Sequence, residues 1–197
     1  MIEYTFSNTS LQNTRIYAPN GSIAYTITSE NHFFRADNTT VSRVIDGQSV
    51  EIVKFEWHDT TRRDVMKTSG NNGTMVKVKD YLPEKGMFSS SRLFSTPNGQ
   101  WKWKSKGPIV YDPYGSALAR YQKNERLFGS NKSATGAPAS LIISSPEASQ
   151  RLDDIVFGLL IMHKDMQRQR RRAENSRHAG GAGAGGAGAG VSLGVDA

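Results

Sequence analysis

The sequence contains no cysteine, which excludes both a disulfide framework and a thiolate metal centre. It also lacks a long hydrophobic run. The most apolar stretch, residues 155–162, would rise only ~12 Å as a helix, whereas a membrane span needs about 20 apolar residues. No transmembrane segment is expected. The first twenty residues show no basic segment followed by an apolar one, so no export signal is read there. An intracellular location, cytoplasmic or peripheral to a membrane, is the expectation. Hydrophobic residues make up only 37% of the chain, partly because residues 179–190 are glycine and alanine alone. Glycine loses much backbone entropy on ordering, so 173–197 is expected to be a disordered tail.

What is present is a succession of short β-type runs punctuated by turn residues. Thr14-Arg15-Ile16-Tyr17 and Ile23-Ala24-Tyr25-Thr26-Ile27-Thr28 flank Pro19-Asn20-Gly21, a hairpin signature because Asn and Gly accept the positive φ of a tight turn. The device recurs around Pro97-Asn98-Gly99. After it, Trp101-Lys102-Trp103-Lys104 alternates strictly, placing tryptophans on one face and lysines on the other. Asp46-Gly47 separates two more runs. The count reaches ten to twelve strands up to about residue 145, which argues for a sandwich or barrel.

The pattern then changes. Ser145-Pro146-Glu147 is a helix start, with a capping hydroxyl, a proline suited to the first turn and an acid at the positive dipole end. The helix is expected over about 146–172. Residues 155–162 are apolar on every face, and a helix of that kind must be enclosed on all sides. A mainly β, closed antiparallel barrel over 13–172 around this helix follows, with 1–12 as an N-terminal segment.

Three runs carry a resemblance: Lys79-Asp80-Tyr81-Leu82, Gln100-Trp101-Lys102-Trp103 and Leu152-Asp153-Asp154-Ile155-Val156-Phe157-Gly158-Leu159-Leu160. In this order they resemble a largely fungal domain family of unknown function related to the tubby C-terminal-like barrels, among them the tubby, LURP-one-related and phospholipid scramblase groups. The resemblance covers roughly residues 10–172. It implies a twelve-stranded closed barrel around a hydrophobic helix. Tubby members bind phosphoinositides through basic surface residues, but no lipid-contacting position matches residue by residue here.

Motifs for catalysis are weak. Gly181, Gly183 and Gly186 fit a dinucleotide fingerprint in spacing only, since no strand precedes them and seven residues follow the Gly/Ala run. His32, His58, His163 and His178 lack metal-ligand spacing. Asp153 and Asp154 stand just ahead of the apolar run, where the helix dipole favours acids. As helix neighbours they diverge by about 100°, which argues against a catalytic pair. No enzyme activity, cofactor or metal is expected.

Charge is more informative. The net charge is +7, and residues 163–178 hold six basic against two acidic residues. Arg168, Arg170, Arg171 and Arg172 form either a solvated helix end or a polybasic patch for anionic lipid. Lys102 and Lys104 join them as candidate lipid contacts. The expected function is a non-enzymatic, monomeric module binding anionic phospholipid such as phosphoinositide. The alternative is a protein-interaction or structural barrel in which the basic residues only solubilise. Nucleic acid is not an expected partner, because strand alternation separates the tryptophans from the lysines.

Overall fold

A computed structural model describes residues 1–8, 10–30, 37–58, 63–71, 73–86, 91–104, 108–122 and 138–180. Of the disordered tail expected over 173–197, residues 173–180 are helical and 181–197 lie outside the described residues. The chain divides into two compact units, Met1–His163 and Lys164–Ala197.

Among its described residues the first unit carries twelve strands: β1 (Ile2–Phe6), β2 (Thr14–Tyr17), β3 (Ile23–Glu30), β4 (Asp37–Ile45), β5 (Gln48–Trp57), β6 (Val65–Thr68), β7 (Met75–Lys77), β8 (Ser91–Thr96), β9 (Gly99–Lys104), β10 (Ile109–Tyr111), β11 (Ala117–Gln122) and β12 (Ser140–Ile143). They form one antiparallel sheet in the order β7-β6-β5-β4-β3-β2-β1-β12-β11-β10-β9-β8. Every strand pairs with its sequence neighbour except β7 with β8, and β1 pairs with β12.

The sheet is therefore not the closed barrel expected from the sequence. The reason is local. β7 is three residues long, and Val78 turns the chain into a one-turn helix, α1 (Val78–Tyr81). Pro83 follows, which has no N–H to give a ladder. The chain after α1 lines β8 instead. Leu93 N donates to Pro83 O at 2.8 Å and Lys85 N to Ser91 O at 2.9 Å, while Arg92 Nη1 donates to Leu82 O at 2.6 Å. Arg92 is buried, so its charge is satisfied at this seam, with Glu84 at 3.5 Å adding an ion pair.

The Asn-Gly hairpins form where expected, joining β2 to β3 and β8 to β9. Asp46 and Gly47 connect β4 and β5 with φ of +50° and +78°, the mirror-image turn that matches strand twist. Residues 1–12, read as preceding the strands, contain β1, which sits between β2 and β12.

Two helices replace the single one expected over 146–172: α2 (Pro146–Gln150) and α3 (Leu152–Gly180). Ser145 Oγ accepts from Ala148 N at 3.0 Å, capping α2 as its sequence predicts. Arg151 lies between the helices. Residues 155–162 are all buried, in one core with Val53, Phe55, Trp101, Trp103 and Leu141. Among the described residues, no helix is long and apolar enough to cross a membrane.

Candidate functional site

Sheet register determines which side chains share a surface, because directly opposed residues lie on one face. Trp101 and Trp103 are 1% and 2% exposed, so Lys102 and Lys104 project from the outer face of β9. Lys104 opposes Ser91 on β8 and Ile109 on β10. Ile109 opposes Arg120 on β11, and Arg120 opposes Ile142 on β12. The next row sets Lys102 between Leu93 and Tyr111.

Lys104 and Arg120 are exposed, and Leu93, Lys102, Ile109, Tyr111 and Ile142 are half-buried. The result is an outer face of cations alternating with partly exposed apolar side chains. It turns acidic at Glu3 of β1, which opposes Ile142. Lys85 adds a further charge: together with Lys104 it drives the pKa of Lys102 down, the Lys85 charge being the larger cause. The Lys104 ammonium lies 4.3 Å from the centroid of the Tyr111 ring, a cation–π contact that leaves its charge available to an anion.

Lys102 and Lys104 are thus brought together as the strand alternation predicts. Sequence reasoning missed Lys85, Arg120 and the apolar members of the rows. The alternation of Ile109 and Tyr111 about buried Val110 marks them as outward, but only register places them beside the lysines. Arg168, Arg170, Arg171 and Arg172 belong to α3 within the second unit. Arg170, Arg171 and Arg172 are exposed and Arg168 is half-buried. The six candidates therefore fall into two sets, one in each unit.

The start of α3 forms a second cluster. Asp153 accepts from the Tyr25 hydroxyl at 2.6 Å and from Arg43 Nε at 3.2 Å, and forms an ion pair with the Arg43 guanidinium. Asp154 accepts from the Tyr81 hydroxyl at 2.7 Å and lies 3.4 Å from Arg151 Nη1. The two acids point to different partners, as their divergence on a helix requires. Burial raises the pKa of the Asp154 carboxyl, partly offset by the Tyr81 hydroxyl and Arg151. Burial, reinforced by the adjoining carboxylates, pushes both the Tyr25 and Tyr81 hydroxyls far above the ordinary phenol range. Both tyrosines therefore remain neutral hydrogen-bond donors.

A family described as being of unknown function, DUF6593, matches residues 9–168. The chain belongs to this family. The DUF6593 match takes in β2 to β12, both clusters and the first half of α3. No curated protein and no solved structure matches the chain.

Proposed function

We propose that this DUF6593 protein is a non-enzymatic module that docks on an anionic phospholipid surface, of the kind a phosphoinositide-bearing membrane presents. One observation carries the reading. The outer rows of β8 to β12 interleave Lys102, Lys104 and Arg120 with Leu93, Ile109 and Ile142, the mixed chemistry that a headgroup layer over acyl chains would meet. Each basic residue near an anionic leaflet contributes about 1 kcal/mol. The repulsion that Lys102 feels from Lys85 and Lys104 would be relieved by a phosphate between them. Arg170, Arg171 and Arg172 supply a second cationic surface in the other unit.

The twelve-stranded sheet with its enclosed apolar segment is read as a relative of the tubby C-terminal-like barrels, open at one seam. A peripheral, intracellular association with membrane follows from the same reading.

Co-sedimentation with phosphatidylcholine vesicles carrying graded phosphatidylserine or phosphoinositide, at low and physiological salt, tests it. Binding that persists at physiological salt and falls several-fold in the Lys102→Gln/Lys104→Gln variant is the expected result. Absence of binding at low salt would overturn it in favour of a protein-interaction barrel.

A further inference from the structure

A cleft of about 390 Å³ lies between β5–β7 and the first turn of α3, within the ~300–1,000 Å³ typical of small-molecule sites. Ile52, Met66, Val76 and Phe157 supply its apolar lining, and Thr68, Ser69, Gln150 and Arg151 its polar donors. The carboxylates that border it are already engaged, Asp153 by Tyr25 and Arg43, and Asp154 by Tyr81.

Arg151 differs from these groups. Among the described residues its one ion pair is the 3.4 Å contact to Asp154, a long approach for a guanidinium that offers five N–H donors. Its guanidinium carbon also lies 5.4 Å from the centroid of the Phe94 ring and 6.0 Å from that of Trp101. Cation–π contacts of this kind hold the guanidinium without consuming N–H groups. Arg43 and Arg151 balance Asp153 and Asp154, so the region is close to neutral. The nearby acids disfavour a dianion more than a monoanion, which the spare donors of Arg151 can hold.

We propose that this cleft binds a small amphiphilic carboxylate, its head gripped by Arg151 and its apolar body laid against Ile52, Met66, Val76 and Phe157. The proposal is independent of the membrane reading, since none of these residues belongs to the outer cationic rows.

The test is calorimetric titration of the full chain with octanoate, with acetate, octylamine and octyl phosphate as comparators. Saturable octanoate binding is expected, with acetate and octylamine at least about ten-fold weaker, equivalent to ~1.4 kcal/mol. Arg151→Gln should lose about ten-fold in octanoate affinity, and Arg151→Lys less. Val76→Thr, which keeps the volume and removes apolar surface, should weaken binding several-fold and provides a second reading if Arg151→Gln fails to fold. Octylamine binding as tightly as octanoate, an unchanged affinity in a folded Arg151→Gln protein, or no saturable heat with octanoate would each overturn the proposal. Tighter binding of octyl phosphate would overturn the monoanion assignment.

Discussion

Gly158 occupies the centre of the enclosed helical segment, and a Cβ there would lie 2.6 Å from the Trp103 indole. Helix propensity alone would make Gly158→Ala stabilising by ~1 kcal/mol. The approach of Trp103, itself 2% exposed, reverses the sign. Overpacking should make the variant about 1–3 kcal/mol less stable in thermal or denaturant unfolding. Asp154 gives a second residue-scale expectation. Because burial raises its pKa, the native state holds this proton more tightly than the unfolded chain does. The group therefore favours folding at low pH and ceases to do so as pH rises through its native value. Asp154→Asn keeps an acceptor for the Tyr81 hydroxyl and should be near neutral at pH 7, flattening stability over that window. Asp154→Ala strands the hydroxyl and should cost about 1–3 kcal/mol. Chemical denaturation across pH checks both. The acids themselves were legible in the sequence, but their partners were not. Tyr25 is 128 positions from Asp153 and Tyr81 is 73 from Asp154, and no local pattern encodes a pairing at that range.

At the scale of the element, legibility follows the range of the forces. The α2 cap is a contact between residues 145 and 148, so the sequence displays it whole. Ser145→Ala should cost about 1 kcal/mol in thermal unfolding. The break between α2 and α3 is different. Arg151 carries no helix-breaking chemistry, and its non-helical backbone accompanies its cation–π contacts with Phe94 and Trp101, which come from β8 and β9. Likewise, β1 has no turn signature ahead of it and is fixed by ladders to β2 and β12. The open seam depends on the shortness of β7 and the buried Arg92 clasp on Leu82. Arg92→Leu leaves the Leu82 carbonyl without this donor and should destabilise the protein by about 1–3 kcal/mol. Hydrogen exchange at Leu93 and Lys85, whose amides bond across the same seam, should accelerate. An unchanged exchange pattern would show that the seam holds without Arg92.

For the whole molecule, the mainly β class and the enclosed helix were readable because both rest on composition and period. The Trp/Lys alternation of β9 likewise gave half of the outer cationic face. The other half depends on which strand lies beside which, information held only in the fold. The two cationic sets should be separable by salt. Removing Arg170, Arg171 and Arg172 together, or Lys102 and Lys104 together, should each reduce vesicle binding and make its salt dependence shallower. Vesicle titrations of both variants at several ionic strengths check this; equal binding by both and by the parent protein would leave the charges a solubilising role.

The pairing of β1 with β12 also bears on synthesis. β1 leaves the ribosome ahead of β12 and must wait for residues 140–143 before its second edge is covered. Until then a growing chain can assemble β1 to β7 as an uninterrupted meander, yet it presents the backbone of β1 as a template for any neighbouring strand. Long-range pairing of this kind is slow, so a nascent chain arrested before β12 would be the aggregation-prone species, and a chaperone acting on it would have most to do at β1.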